Sequence, residues 1–475
     1  MRAGLLRSLG TIFSVIVIVG LLAGVAGFIA WGKRPIPVKL PGLGALEVRE
    51  NQDRLTLLDD ITYRGEPKTV EPEPPLPGTP RPADTRLYNN LLDNLLSGLH
   101  YYYSVPEGTP PSTFVTSWDA DSGGRILSDA RLFSLEVNVS YLLALEMYSR
   151  LHAKAVFDED LERTRKRVSD IFAEEWHTTN QWPLGPYFDL VALSKITGEE
   201  KYLQWADRYG AGTGPEDPNT PLTMAKSQAV RFQRNAARSA SPFHFYYAAL
   251  LAEWGSRHDP ALIDTSRFLF DGLKDMLYDD RFKMLFKQVA VGEGGSTNIT
   301  MTFDALEQLS AVRAIVEYER ASGDRDSLGL AKTVLNGVWQ AGSPLLRPAP
   351  EQFPENTFFG LYTAYDHARE AERFKPIEVT IVHILLYDTV VLLNEETQGE
   401  FRGDVDFLAS WLETSGPAYR EDANGYYTEY DEQWNDPKEK WVSSKASIWM
   451  ARALVTDEWY RFHKAQAYTS NIAGQ

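Results

Sequence analysis

The segment SKITGEEKYLQWADRYG, residues 194–210, decides the fold because the chain repeats it. The segment ERASGDRDSLGLAKTVL, residues 319–335, aligns with it without a gap at an offset of 125 residues. In each copy an apolar helix ends at a glycine, Gly198 or Gly323, which can adopt the left-handed conformation of a helix C-cap. An acidic residue then enters the first turn of the next helix, where the helix dipole favours negative charge. The repeated unit is therefore predicted to be a hairpin of two helices.

Further copies of this unit predict five or six such hairpins. Residues 256–270 form a third copy, and residues 151–168 and 393–412 form looser ones. Either the first helix, 87–103, or the last helix, 444–464, completes the set at a spacing of roughly 60 residues. One hairpin cannot bury its own apolar face, so the units are expected to pack on one another.

Two helical segments, 132–151 and 378–393, are apolar on nearly every side. A helix without a polar face must be covered all round, which predicts an inner layer of helices wrapped by more polar outer ones. The second segment contains His383 and Asp388 and is therefore predicted to be a core helix rather than a membrane span.

Aromatic, acidic and turn-rich loops precede several of the predicted inner helices. They are SWDADSGGRILSD (117–129), LYDDRFKMLFKQVAVGEGGSTN (277–298), FGLYTAYDHAREAERFKP (359–376) and GYYTEYDEQWNDPKEKW (425–441). Short alternating stretches such as GYYTEY predict hairpin strands within them. If the helices close into a ring, these loops gather at one end of it.

This pattern resembles the six-hairpin glycosidase superfamily, the (α/α)6 toroids, over residues of about 84–465. The likeness rests on the TGEEKYLQWA and SGDRDSLGLA joints and on the Trp-, Tyr- and Asp-rich loops ahead of the inner helices. It implies an all-α toroid of helical hairpins with short β-hairpin loops at one end. It also implies a glycan groove at that end, with catalytic Asp or Glu in the loops or at the starts of the inner helices. No single family's catalytic motif matches residue by residue, and proteins of this architecture include lyases, epimerases and other non-hydrolases.

The amino terminus predicts a membrane anchor ahead of the toroid. Residues 1–10 are a short basic segment, and residues 11–31 are 21 uncharged residues, enough helix to cross roughly 30 Å of hydrocarbon. The alternative is a cleaved signal, with Gly24-Val25-Ala26 as a small-residue cleavage site. Residues 32–83 are predicted to be a juxtamembrane segment that ends in a Pro-rich linker, and residues 84–475 to be the toroid domain. We expect that domain to lie on the outer face of the membrane.

Composition argues against several classes of partner and chemistry. The formal charge is −17, and five basic residues precede the first acidic residue, Glu47, so the rest of the chain is more negative still. Such a surface repels the phosphate backbone of a nucleic acid. The absence of cysteine excludes disulfides, zinc–thiolate sites and a cysteine nucleophile. No phosphate-binding loop, serine-nucleophile motif or dinucleotide motif is present, and we expect no cofactor and no metal.

The first loop carries the densest group of candidate catalytic residues. Asp119 and Asp121 flank a turn beside Trp118, whose ring could stack on a sugar. Glycoside cleavage needs two carboxyl groups, one protonated and one ionised, across the scissile bond. The alternative is structural: residues 121–124 form a hairpin turn and Asp129 caps the next helix. A calcium loop is excluded because the twelfth position, residue 130, is an alanine.

Other carboxylates belong to inner helices or to later loops. Glu136 lies one turn into an apolar helix, where burial is costly unless the charge is used or paired. Asp304 and Asp388 follow the same pattern. The loop carboxylates among aromatic rings are Asp366, Glu429, Asp431 and Glu432. Asp366 and Asp431 are the predicted partners of the first loop.

Six aromatic residues are predicted to bind substrate by stacking on a sugar face. They are Trp118, Tyr362, Tyr426, Tyr427, Trp434 and Trp441. The alternative for each is ordinary packing. His383 is predicted to be a core histidine whose ring nitrogens are hydrogen-bonded. His244 and His367 are the candidates for the general base of an epimerase or lyase.

The sequence therefore predicts a membrane-anchored, carbohydrate-active protein, a glycoside hydrolase that uses carboxylate acid and base catalysis on a cell-surface or extracellular glycan. Its expected partners are an oligo- or polysaccharide and a lipid bilayer contacted through residues 11–31. The alternatives are a non-catalytic glycan-binding or scaffold protein and a carbohydrate epimerase or lyase. A hydrolase requires two inward carboxyl groups about 5–10 Å apart, whereas a scaffold is expected to have its acids in ion pairs.

Overall fold

The computed structural model describes residues 36–40, 43–51, 54–57, 89–105, 109–111, 113–128, 131–152, 155–173, 185–212, 220–234, 236–292, 295–351, 353, 357–421, 423–435 and 440–473. The predicted anchor, residues 11–31, lies outside these ranges. Three strands ahead of the helices form an antiparallel sheet: β1 (Ile36–Leu40), β2 (Leu43–Asn51) and β3 (Arg54–Leu57).

Helices make up most of the remaining described chain. In chain order they are α1 (Asn89–Tyr102), α2 (Arg131–His152), α3 (Asp158–Ala173), α4 (Gly185–Thr197), α5 (Glu200–Ala211), α6 (Pro221–Gln233), α7 (Phe245–Arg257), α8 (Ala261–Leu277), α9 (Ala305–Ser322), α10 (Ser327–Trp339), α11 (Pro376–Glu396), α12 (Arg402–Thr414) and α13 (Ser444–Ala473). Short strands lie between them: β4 (Phe114–Asp119), β5 (Arg125–Ser128), β6 (Arg238–Ala240), β7 (Tyr278–Asp279), β8 (Met284–Leu285), β9 (Gln288–Val291), β10 (Thr297–Thr300), β11 (Thr302–Asp304), β12 (Ala364–Asp366), β13 (Ala371–Arg373) and β14 (Trp441–Ser443). The predicted predominance of helices is confirmed.

The inner layer is a ring of helices. In the described part of the chain, α7 packs on α9, α9 on α11, α11 on α13, α13 on α2 and α2 on α4. Side chains close the remaining gap between α4 and α7: the Tyr187 hydroxyl donates a hydrogen bond to Glu253, and the rings of Phe188 and Tyr246 lie 5.8 Å apart. Segments distant in the chain therefore meet around one axis.

Each inner helix pairs with an outer helix to make a hairpin. The pairs are α2 with α3, α4 with α5, α7 with α8, α9 with α10, and α11 with α12. Helix α13 has no following partner among the described residues and packs instead on α1, so the last helix and the first complete the ring together. The sequence left open which of the two completes it. Helix α6 is an addition that packs on α7 and α8.

The glycine joints take the conformation predicted for them. Gly198 and Gly323 both have φ of 71°, in the left-handed region, where a side chain would be strained. Their amides bond to the carbonyl oxygens of Ser194 and Glu319 at 2.8 Å. These bonds end α4 and α9 and turn the chain into the outer helices.

Three sheets gather at the amino-terminal ends of the inner helices, which we call the sheet end. Strands β14, β4 and β5 form one sheet ahead of α13 and α2; β10, β9 and β6 form a second ahead of α7 and α9; β11, β12 and β13 form a third ahead of α9 and α11. The register pairs Trp441 with Asp119, which joins the first and last loops. The loops therefore meet at one end of the ring.

Helix α11 is the most apolar inner helix and is covered by protein. Within the described ranges, only Pro376–Glu396 has the length and composition of a membrane span, and 78% of its apolar window is buried inside the molecule. This burial agrees with its predicted place in the core.

Candidate active site at the sheet end

The first loop forms the hairpin between β4 and β5. The Asp119 carboxylate accepts hydrogen bonds from the Ser122 hydroxyl at 2.6 Å and from the Asp121 amide at 3.0 Å, and these bonds lower the pKa of Asp119. Asp121 is exposed and lies 3.3 Å from the Lys440 ammonium. Asp129 lies outside the described residues. The turn accounts for the bonds of Asp119 without a ligand.

Four of the predicted sugar-stacking rings are buried in this arrangement. Trp118 is 0% exposed, and its ring stacks on that of Tyr102 at 5.2 Å with an interplanar angle of 7°. Tyr426 and Tyr427 are also fully buried, and the Trp434 indole donates to the carbonyl oxygen of Phe359 at 3.1 Å. A sugar cannot reach these rings unless core side chains move.

Tyr362 and Trp441 are the half-buried members of the predicted aromatic set. Burial raises the pKa of the Tyr362 phenol. Trp441 belongs to β14, beside the first loop. Of the six rings, these two retain access from the sheet end.

Glu136 lies at the sheet end of the ring's central channel. It shares one face of α2 with Ser140 and Leu143, four and seven residues further on, and Leu143 lines the interior of the ring. Its carboxylate lies 3.0 Å from the Lys445 ammonium at the start of α13, which is 4.5 Å from the Trp449 ring centre. Glu136 therefore faces inward but has a lysine partner.

Asp366 and Asp431 both close local turns. Asp366 is buried and accepts a bond from the Ala368 amide at 3.1 Å, with the guanidinium groups of Arg369 and Arg373 at 3.7 and 3.8 Å. Burial acts to raise the pKa of Asp431, but hydrogen bonds, chiefly from the side chain and amide of Asn435, lower it overall. The five predicted catalytic carboxylates thus serve turns and ion pairs, with Asp119 and Asp121 in the first loop, Glu136 on α2, and Asp366 and Asp431 in two later loops.

A carboxyl pair that the predicted site did not contain lies where β11 meets α9. Asp304 ends the strand and caps the helix, since its carboxylate accepts the Glu307 amide at 3.2 Å. The Lys287 ammonium lies 3.5 Å from Asp304 and 3.6 Å from Glu307. Because both oxygens are within 3.6 Å of one nitrogen, they are about 7 Å apart at most.

The two acids of this pair differ in environment. Burial raises the pKa of Glu307, the negative charge of Asp304 raises it further, and Lys287 only partly opposes the rise. One Glu307 oxygen, Oε2, is buried with no hydrogen-bond partner. A carboxyl with a raised pKa beside a second carboxylate is the arrangement that acid and base catalysis uses.

His244 belongs to a turn that packs on the helix carrying Glu307. The Pro242–His244 turn that opens α7 packs against α9. The Ser241 amide donates to His244 Nδ1 at 2.8 Å, and burial lowers the pKa of His244 to about 4. The ring is therefore neutral at pH 7, with its proton on Nε2.

The other two histidines occupy different settings. His383 is a satisfied core histidine: Nδ1 donates to the Val379 carbonyl oxygen at 2.6 Å, Nε2 accepts the Leu361 amide at 2.7 Å, and burial lowers its pKa to about 3. His367 Nδ1 is buried without a partner, with the Phe282 ring centre 4.9 Å away. No group of three His, Asp or Glu side chains in the described part of the chain is arranged to hold a metal.

A charged network joins four inner helices inside the ring. The Arg452 guanidinium bonds to Asp388 at 2.6 Å and to Asp189 at 3.0 Å, and Arg313 lies 2.8 Å from Asp388. These side chains come from four inner helices. Asp388 is thus a paired charge on the axis of the ring.

The sequence pattern around Glu307 is equally compatible with a purely structural role. Asp304 and Glu307 have the three-residue spacing of a capping box. That pattern is ordinary on an exposed helix. Only the ring places this helix start at the sheet end beside Lys287.

Comparisons with known proteins identify the fold. No protein-family model matches the chain, and no curated protein matches it. An α-1,6-mannanase of Salegentibacter sp. HEL1_6 is 13% identical, with a TM-score of 0.50 over 79% of this chain and 100% of its own. An unsaturated glucuronyl hydrolase specific for heparin is 10% identical, with a TM-score of 0.51 over 78% and 95%. A family 76 glycoside hydrolase from a bovine Bacteroides thetaiotaomicron strain is 10% identical, with a TM-score of 0.50 over 88% and 85%.

These neighbours belong to the six-hairpin glycosidase superfamily, so the predicted resemblance is confirmed as one of fold. The fold class is therefore that of the helical toroids. An inactive variant of the Salegentibacter mannanase was solved with α-1,6-mannotetrose. Sequence identities of 10–13% indicate a shared fold but do not show a shared reaction.

Proposed function

We propose that this protein is a glycoside hydrolase whose site lies at the sheet end of the ring. Glu307 is the general acid, Asp304 is the ionised partner, and Lys287 positions both. The observation that carries this assignment is the raised pKa of Glu307 together with its separation of about 7 Å or less from Asp304. That upper limit is compatible with the separation used in glycoside cleavage, roughly 5–9.5 Å.

The chemistry divides between the two carboxyls. Glu307 donates its proton to the glycosidic oxygen as the bond to the sugar breaks. Asp304 sits at the amino terminus of α9, where its carboxylate accepts a hydrogen bond from the Glu307 amide. It stabilises the positive charge that develops on the sugar ring and, as the base, takes a proton from the water that adds to that ring. The neutral His244 offers an Nε2–H donor for a sugar hydroxyl close to α9.

A screen of the full chain on a polysaccharide panel, read out as reducing-sugar release, tests the proposal. We expect Glu307→Gln and Asp304→Asn each to reduce release by about 10²- to 10⁴-fold, the usual contribution of a positioned acid or base. Glu378→Gln is a matched control, because Glu378 also starts an inner helix and pairs with a lysine, Lys375, at 2.7 Å. Equal activity of Glu307→Gln and wild type contradicts the assignment.

A non-catalytic glycan-binding protein is the second candidate. The ion pairs of Asp121 and Glu136, which occupy two of the predicted catalytic acids, favour it. Calorimetric titration with α-1,6-mannotetraose separates the two candidates. Binding without any sugar release from the panel supports the binding protein and contradicts the hydrolase.

Membrane attachment through residues 11–31 is part of the same proposal. It is supported by the 21 uncharged residues and the basic residues on both sides of them. After expression in a bacterial host, we expect the full chain to stay with membranes in alkaline carbonate and a chain lacking residues 1–31 to be released. Digestion of the toroid domain by protease added to intact spheroplasts supports its outer location, and protection contradicts it.

A further inference from the structure

A chamber of about 810 Å³ opens inside the ring at the end opposite to the sheets. Its walls come from the carboxyl-terminal parts of α2, α4, α9, α11 and α13. Arg313, Asp388 and Arg452 form its floor. We call this space the lower chamber.

The charged network separates the lower chamber from the sheet end. Glu136 precedes Ser140 by one helical turn, and Ser140 accepts a bond from Arg452 at 3.2 Å. Lys445 precedes Arg452 by two turns on the same helix. A ligand in the lower chamber therefore occupies a different space from a substrate near Glu136 or Glu307.

The lower chamber has one apolar side and one charged side. The apolar side is formed by α2 and α4 and contains Leu143, Met147, Phe188, Ala192 and Ile196. On the charged side, Arg320 lies 3.1 Å from Glu317, 2.8 Å from Glu395 and 2.5 Å from Glu396. A small anion or cation would have to displace one of these pairs, which disfavours a simple ionic ligand.

Hydrogen-bonding capacity nevertheless remains on the charged side. Arg313 pairs with Asp388 at 2.8 Å, but its Nε is buried with no partner. Arg313 lines the chamber, and a guanidinium carries five N–H donors, so it can donate to a ligand oxygen as well as to Asp388. The paired carboxylates can each accept further hydroxyl donors. A ligand with many hydroxyl groups and no charge satisfies both kinds of group.

An aromatic ring completes the match to a sugar. Trp459 lines the chamber and is half-buried, and the ring of His463, which also lines the chamber, lies 4.3 Å from the Trp459 ring. Sugars present C–H faces that pack on such rings while their hydroxyls bond to charged groups. The chamber volume lies within the range of about 300–1,000 Å³ typical of small-molecule sites.

We propose that the lower chamber is a second carbohydrate site that binds a short, uncharged oligosaccharide. The sugar lies between the Trp459 indole and the apolar side, with its hydroxyls toward Arg313 and Glu317. This site is independent of the acid and base roles assigned to Glu307 and Asp304. A chain with two sugar sites on opposite ends of one ring can hold a glycan at one end while the other end acts.

Calorimetric titration of the full chain with maltotetraose, cellotetraose and α-1,6-mannotetraose tests this site. Ala192→Phe fills the chamber from its apolar side, and Trp459→Ala removes the ring. We expect each to weaken the lower-chamber binding at least tenfold. Phe462→Ala is the matched control, because Phe462 is an exposed aromatic on the same helix and does not line the chamber. It and Glu307→Gln are expected to leave this binding unchanged.

Three outcomes overturn the lower-chamber site. The first is that none of the three tetrasaccharides binds at millimolar concentration, and the second is that binding is unchanged in both Ala192→Phe and Trp459→Ala. The third is that Glu307→Gln abolishes all binding. Unfolding midpoints of the variants check that they fold, and the two chamber variants act from opposite walls, so a folding failure in one leaves the other. Loss of sugar release in Glu307→Gln with intact lower-chamber binding keeps the two proposals distinct.

Discussion

The β4–β5 hairpin and the β11–α9 junction both place acids at the entrance of an inner helix, but their environments differ. Asp119 in the hairpin is half-buried, and its oxygens accept hydrogen bonds from Ser122 and Asp121. Glu307 in the junction has a buried oxygen with no partner and a raised pKa. The number of acidic residues in a loop is therefore a weaker indication of a catalytic site than the burial of one carboxyl group beside another.

The largest expected effect separates these two regions by activity. Glu307→Gln is expected to lower sugar release by about 10²- to 10⁴-fold, because it removes the proton donor. Asp119→Asn is expected to change release by less than about twofold, since its bonds are local turn bonds. Initial rates of reducing-sugar release measure both. A larger loss in Asp119→Asn than in Glu307→Gln would reverse the comparison.

The next effect compares buried with exposed charge. Arg452→Met leaves Asp189 and Asp388 buried without their shared partner, and we expect a loss of about 3–5 kcal/mol in the free energy of unfolding. Lys166→Met breaks an exposed pair with Asp170 and is expected to cost less than about 1 kcal/mol. Urea denaturation measures both. Similar losses would contradict a special role for the channel network.

The aromatic rings provide a third test of burial. Trp118→Ala removes a fully buried ring that stacks on Tyr102, and we expect a loss of about 3–5 kcal/mol in unfolding free energy. Trp441→Ala removes a half-buried ring and is expected to cost clearly less. Urea denaturation of each variant, paired with sugar titration, gives the result. A stable Trp118→Ala variant that loses sugar affinity would instead support the prediction that Trp118 stacks on a sugar.

The smallest effect is the pH dependence of stability that Glu307 contributes. Its pKa in the folded protein is raised above the ordinary value of 4.5, chiefly by burial. The stability that Glu307 contributes to the free energy of unfolding is therefore fully present below pH 4.5. It is lost as pH rises through the pKa of Glu307 in the folded protein. In Glu307→Gln, the decline of unfolding free energy over this window is expected to be shallower than in wild type. Urea midpoints between pH 4 and pH 7 measure it, and parallel curves would contradict a raised pKa.

Local signals in the sequence predicted much of the architecture. The joints at Gly198 and Gly323 require a residue in the left-handed conformation, and a glycine followed by an acidic residue predicts such a joint. The closure of the ring by α1 and α13 has no local signal, because their residues lie at opposite ends of the chain and only packing joins them. The sequence therefore left the sixth hairpin open.

The candidate site was harder to predict than the fold. Sequence identifies Trp118 and Tyr426 as large rings but not which neighbours cover them. It shows Asp304 and Glu307 at capping-box spacing but not the approach of Lys287, whose amide bonds to the carbonyl oxygen of Thr302 in β11. The Arg452 network combines four helices and leaves no pattern in any one of them.

A crystal structure of Glu307→Gln with an oligosaccharide that the wild-type chain cleaves is the most direct test of the sheet-end site. We predict a glycosidic oxygen within about 3.2 Å of the residue 307 side chain, with Asp304 facing the same sugar. A productive sugar held against the first loop, with residue 307 out of contact, would contradict the assignment.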